Sequence, residues 1–171
     1  MEKLNIITCS HKHYALLADL GSTTFFEAYK NLHKHEDIKQ YNDNNYNFDV
    51  IKQNLKNSNI LYFVAYNNFK EVGYIKLIKN VKVEGIDDVV MELEKIYVLP
   101  EFYGTGAGDA LMQKAIETTK QNGYDKLYLG VWQENKRAIK FYQKHQFEIF
   151  GTRTFQLGST TCNDFLMVKH V

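Results

Sequence analysis

Proline occurs once in this chain of 171 residues, tryptophan once and cysteine twice, and neither sign of charge is in excess. Cys9 and Cys162 stand far apart without a CxxC pair, which excludes a disulfide framework and a zinc ribbon and predicts reduced thiols in a cytoplasmic setting. Lysine and arginine total 21 against 20 acidic residues, a formal charge of +1. That balance gives no footprint for nucleic acid and no polybasic patch for a membrane surface. No stretch reaches the roughly 20 apolar residues of a membrane span, and Met1–Ser10 lacks the apolar run of a signal peptide. His11, His13, His33 and His35 fall in His-x-His spacing without a carboxylate or cysteine set beside them, so no metal is expected. A small-molecule partner is the remaining default.

What is present suffices for one folded unit. Hydrophobic side chains make up 44% of the chain, and its length suits a single domain over residues 1–171. Leu4, Ile6 and Thr8 alternate as a strand does, and apolar residues then recur at helical spacing from His13 to Tyr29, with Leu16, Leu17, Leu20 and Phe25 on the inner face. The polar stretch Asn31–Asn47 reads as a loop before a helix holding Phe48, Ile51 and Leu55. Ile60–Tyr66 and Val72–Ile78 read as strands of a hairpin through Asn67–Lys70, and Val89–Leu99 as the next strand, stopped by Pro100. Ala107–Gln121 is a helix closed by Gly123, Lys126–Trp132 a strand with Trp132 as core packing, Asn135–His145 a helix, and Phe147–Leu157 and Phe165–His170 the final strands. This order predicts an α/β fold, a mixed sheet with helices on both faces.

Two segments carry chemistry. Tyr103-Gly104-Thr105-Gly106-Ala107-Gly108 lies between a strand and a helix, where free backbone N–H groups and the helix dipole can receive phosphate oxygens. It lacks the Gly-Lys-Ser/Thr of a Walker loop, and no second strand with an acidic ribose ligand follows at Rossmann spacing. By context alone a plain chain turn competes with a phosphate site. Asn135-Lys-Arg-Ala138-Ile-Lys-Phe141-Tyr142 places Asn135 and Tyr142 on one helix face. Alone it is equally a capped amphipathic helix.

Taken together, the two segments resemble the cofactor motifs of the GNAT superfamily of N-acetyltransferases. Gly106 and Gly108 match the small positions of its diphosphate motif, whereas Tyr103 stands where that motif has Gln or Arg. Thr24-Phe25-Phe26, the Leu93–Val98 strand, Leu129–Asn135 and the Gly-Thr-Arg-Thr-Phe stretch are similar to PaiA-type spermidine/spermine acetyltransferases. The resemblance implies a largely antiparallel twisted GNAT sheet whose central strands splay to admit acetyl-CoA, and transfer to a polyamine in a ternary complex. It also implies that the diphosphate lies along Tyr103, Gly104, Thr105, Gly106, Ala107, Gly108 and Asp109. Backbone groups of Ile96, Tyr97 and Val98 would hold the pantetheine arm, and Asn135, Tyr142 and Lys144 would face the coenzyme. A protein amino terminus, an amino acid, an aminoglycoside and a silent coenzyme-binding module stay open, as does a homodimer.

An aliphatic amine has a pKa of about 10, so a base must remove its proton before it attacks a thioester. By alternation, Val90, Glu92, Glu94, Ile96 and Val98 share a strand face, and Glu94 is the expected base, directly or through water. Tyr142 is the expected acid toward the leaving thiolate. Glu36, Asp37, Asp43 and Asp49 are placed to attract a polycation.

Overall fold

Seven strands, some of the inner ones continuous apolar runs, join one sheet, described for residues 4–171 in a computed structural model. The strands are β1 (Leu4–Thr8), β2 (Ile60–Asn67), β3 (Lys70–Val81), β4 (Val90–Val98), β5 (Lys126–Trp132), β6 (Glu148–Leu157) and β7 (Thr160–His170). Their order is β1-β2-β3-β4-β5-β7-β6, and every pairing is antiparallel except β4 with β5. The helices are α1 (Tyr14–Tyr29), α2 (His35–Asn45), α3 (Phe48–Lys56), α4 (Ala107–Gln121) and α5 (Lys136–Lys144). The sequence reading of Met1–Ser10 falls partly on residues 1–3, which lie outside the described residues.

The sheet separates two cores. On one face Ile75, Leu77, Met91, Leu93 and Leu127 pack against Leu111, Met112 and Ala115 of α4 and Tyr142 of α5. On the other, Tyr62, Val64 and Tyr74 pack against Leu17 and Phe25 of α1, Ile38 of α2 and Ile51 of α3. Alternate residues of β2 and β3 thus serve opposite cores, as strand geometry requires. Burying each large aliphatic side chain here contributes about 1.5–3 kcal/mol.

Two sequence expectations fail for tertiary reasons. The segment read as a loop over Asn31–Asn47 contains α2, although its sequence is almost wholly polar. Ile38 anchors it in the second core, and the buried Asp37 carboxylate accepts hydrogen bonds from the Ser159 backbone N–H (3.1 Å) and the Ser159 and Thr160 hydroxyls (3.1 and 3.2 Å to Oδ2). Docking onto the β6–β7 turn thus outweighs weak local propensity. The last strand also starts earlier than read, at Thr160, because Gly158 at φ +56° makes a tight turn and brings Thr160 opposite Leu157.

The third correction shapes the cleft. Lys76 of β3 pairs with Lys95, but the next residue, Leu77, pairs with Leu93, so Glu94 is an extra residue in β4. This bulge breaks the alternation expected for Glu92, Glu94, Ile96 and Val98. Leu93, Ile96 and Val98 face the α4 core, while Glu94, Lys95 and Tyr97 turn toward α1 and α2. Beyond it β4 and β5 part. They pair only at Met91 with Leu127 and Glu92 with Tyr128.

Candidate active site

Divergence of β4 and β5 opens a cleft of about 850 Å³ that crosses the sheet between its two helical faces. Past Glu92 the β4 edge has no strand partner on the β5 side, so peptide groups of the Ile96–Val98 stretch border open space. Of the residues singled out from sequence, Glu94, Ile96, Tyr97, Val98, Tyr103, Gly104, Gly106, Gly108, Asp109, Asn135, Tyr142 and Lys144 line the cleft. Thr105 and Ala107 do not: the Thr105 hydroxyl donates to Phe102 O at 2.8 Å, and Ala107 is fully buried beneath the loop.

One end of the cleft holds the glycine loop and the uncapped start of α4. Gly104 and Gly106 have φ of +76° and +88°, values that favour glycine, and no atom lies within 4 Å of where a Cβ would stand on either. The first hydrogen bond of α4 runs from Ala110 N–H to Gly106 O (3.0 Å), and no side chain caps the helix. The N–H groups of Ala107, Gly108 and Asp109 are therefore left without intrahelical acceptors at the positive end of the helix dipole. A phosphate fits this open cradle. Lys144, expected to meet a phosphate, is engaged by Asp109, with Nζ 2.8 and 3.0 Å from its two carboxylate oxygens. His145 Nε2 lies 2.8 Å from the same carboxylate. The Lys144 hydrogen bond and, less strongly, His145 hold the Asp109 carboxyl below the usual range despite some burial. The tie joins the first turn of α4 to the last turn of α5. Tyr103 is 41% exposed, and the guanidinium of Arg137 sits 3.9 Å from its ring centre. Sequence reading missed Arg137, although its place in the first turn of α5, two residues after Asn135, was a usable signal.

Midway along the cleft stands Tyr142, its ring buried against Phe147 at 5.9 Å between centres. Burial, with Tyr29 as a smaller influence, pushes its phenol above the ordinary value, so it stays protonated across the physiological range. Asn135 both lines the cleft and caps α5, accepting from Ala138 N–H at 3.1 Å.

Opposite the glycine loop is a cluster of charges. Glu94 makes an ion pair of 2.5 Å with Lys76 and lies 3.8 Å from Lys95, whose ammonium donates to the Tyr41 hydroxyl at 2.9 Å. Burial would raise the Glu94 carboxyl, but Lys95 and Lys76 together bring it below its ordinary value. Glu92 goes the other way: burial first, then the Glu94 charge, raise it. Arg153 of β6 reaches over β7, donating from Nε to Asp164 (3.3 Å) and from Nη1 to the Tyr128 hydroxyl (3.2 Å). Its guanidinium lies on Gly130, where a Cβ would come within 2.5 Å of Nη2. Asp164 is raised by burial, with Arg153 opposing.

Aromatic side chains form the walls at this end, among them Phe25 stacked on Tyr41 at 4.0 Å, Tyr97 and Phe155. Trp132, read as core packing, does pack against the second core but is half buried and also borders the cleft beside His33, 4.7 Å away between ring centres. The acidic residues assigned to attract a polycation are elsewhere. Asp37 is committed to Ser159 and Thr160, Asp43 to Lys39, and Glu36 and Asp49 occupy first turns of α2 and α3 outside the cleft. His13 Nδ1 accepts from the Ser10 N–H (2.9 Å) and His35 packs on Phe26. Among the described residues no group of three or more His, Cys, Asp or Glu side chains converges to hold a metal ion.

The family model of the acetyltransferase (GNAT) family matches residues 24–147, a span that holds the glycine loop, the β4 bulge and Tyr142. The chain belongs to this family. An uncharacterised N-acetyltransferase of Mycobacterium bovis is 46% identical over 100 residues, covering 58% of this GNAT chain and 60% of the mycobacterial protein's length. An uncharacterised N-acetyltransferase of Lactobacillus delbrueckii is 25% identical over 99% of this chain and 98% of its own. Among solved structures, the PaiA N-acetyltransferase of Thermoplasma acidophilum in complex with coenzyme A superposes with a TM-score of 0.82 at 22% identity, covering 99% of both chains. At that identity the likeness speaks for the GNAT fold. No helix of the described residues is long and apolar enough to cross a membrane.

Proposed function

We propose that this GNAT protein transfers the acetyl group of acetyl-CoA to a primary amine by direct attack in a ternary complex. The observation that carries this reading is one continuous cleft with free helix N–H groups at one end, Tyr142 in the middle and Glu92 and Glu94 at the other. Coenzyme A supplies the acetyl group as a thioester and departs as a thiol. Gly104, Gly106 and the first N–H groups of α4 receive its phosphates, and peptide groups of Ile96–Val98 bind the arm between. Tyr142 keeps its proton and gives it to the departing sulfur.

Removal of the amine proton falls to the glutamate pair. Glu94, first assigned as the base, is held by two lysines and lowered, which makes it a weak acceptor. Glu92 is raised by burial and by Glu94, so the two environments separate the roles. Glu92 takes the proton, directly or through water, and Glu94 fixes the lysines and supplies the charge that keeps Glu92 basic.

For the acceptor we favour a polyamine such as spermidine or spermine. Support comes from the PaiA-type sequence features and from Glu92, a carboxylate outside any ion pair among the described residues, beside aromatic walls that suit a chain of amines and methylenes. Arg153 favours a second reading, an acceptor bearing a carboxylate such as an amino acid, since its guanidinium retains N–H donors beyond those given to Asp164 and Tyr128. Release of free thiol from acetyl-CoA, measured against polyamines, mono-amines, amino acids, aminoglycosides and peptides at one pH and ionic strength, decides. Polyamines are expected to give the highest kcat/KM, falling as salt rises. Preference for another amine would remove the polyamine assignment only. No thiol release with any amine would reduce the protein to a silent coenzyme-binding module.

A further inference from the structure

The phosphate end of the cleft has an imbalance of charge. A coenzyme presents several negative charges there, yet the loop offers backbone N–H groups alone, Asp109 adds a carboxylate, and Lys144 is taken by that carboxylate. Arg137 is the cation left over. It lines the cleft from the first turn of α5, and among the described residues no carboxylate lies within ion-pair distance of it. Its guanidinium stacks on the Tyr103 ring, whose own backbone N–H is fixed by Pro100 O at 3.1 Å.

We infer that Arg137 is the phosphate-binding cation of this site and that Tyr103 is its positioning residue. This rests on the proposed use of coenzyme A. Stacking satisfies the face of the guanidinium and leaves the five N–H groups at its edge to meet phosphate oxygens in a bidentate fork. The aromatic ring thus substitutes for a polar loop side chain by holding a cation contributed from another helix. The tie between Asp109 and the Lys144–His145 end of α5 keeps that helix fixed relative to the loop.

Calorimetry with coenzyme A, dephospho-coenzyme A and pantetheine tests the assignment without turnover. Arg137→Gln is expected to weaken coenzyme A binding about 10- to 100-fold, with pantetheine, which has no phosphate, unaffected. Tyr103→Phe keeps the ring and should bind as wild type, whereas Tyr103→Ala should lose most of what Arg137→Gln loses. A deficit that persists with dephospho-coenzyme A locates the contact at the diphosphate. One that vanishes locates it at the 3′-phosphate. Either outcome supports a phosphate contact. Wild-type affinity in Arg137→Gln, or an equal loss with pantetheine, would overturn it. Failure of the wild-type protein to bind coenzyme A at all would instead overturn the proposed function on which it rests.

Discussion

Glu94 closes an ion pair of 2.5 Å with Lys76 although it is the residue of β4 that has no partner in the β3–β4 register. The bulge frees its side chain from the ladder and directs it beside Lys95, so its negative charge is spent next to Glu92 rather than on the acceptor. A raised carboxyl must lose its proton to act as base, so kcat/KM should fall as pH drops through a value above the ordinary glutamate pKa of about 4.3. Glu92→Gln should lower kcat by about 100-fold or more and abolish that acid limb. Glu94→Gln should move the limb to lower pH, because the neighbouring charge that raises Glu92 is gone. Profiles of both variants at saturating acetyl-CoA give the answer, and an unchanged limb in Glu92→Gln would return the role to Glu94.

Tyr142→Phe keeps the buried ring against Phe147 and removes only the hydroxyl. The expected result is a kcat about 10- to 1,000-fold lower with coenzyme A affinity nearly unchanged. Single-turnover kinetics separate the chemical step from product release. Wild-type rates of that step would make Tyr142 a packing residue.

Gly106→Val should weaken coenzyme A binding at least about tenfold. A β-branched residue is a steric outlier at φ +88°, and its side chain would enter the open space proposed for the phosphates. Titration calorimetry beside a circular dichroism spectrum checks both parts. Full affinity in a folded variant would move the phosphate site off this loop.

Asp37→Ala should lower Tm by a few degrees, because the carboxylate holds α2 to the β6–β7 turn through Ser159 and Thr160. Hydrogen bonds from the Ser159 backbone, against some desolvation, and from both hydroxyls lower its pKa in the folded state. Its contribution is therefore present above the unfolded value of about 3.9 and lost as pH falls through the lower folded value. Thermal melts of both proteins should converge in strong acid. A constant gap down to that pH would assign the effect to packing.

The sequence by itself determined the elements whose signals are local. Gly106 and Gly123 bracket α4, Asn135 caps α5, and short apolar, β-rich runs mark β2 and β5, so these bounds agree with the structure within a residue or two. The glycine loop and Tyr142 were legible for the same reason, since a glycine at positive φ and a tyrosine two turns from a capping asparagine leave a fixed spacing. Only the tertiary structure decided the rest. An extra residue in β4 is invisible to a period of two, because the bulge exists only in register with β3, and it parts Glu92 and Glu94 from Ile96 and Val98, which alternation alone places on their face. Helix α2 exists because Ile38 and Asp37 find partners in the second core and in a turn more than 120 residues away. The stack of Arg137 on Tyr103 and the reach of Arg153 over Gly130 likewise depend on which strands and helices become neighbours. Local periodicity encodes which way a side chain points along its own element, whereas the partner it meets is fixed by how those elements pack.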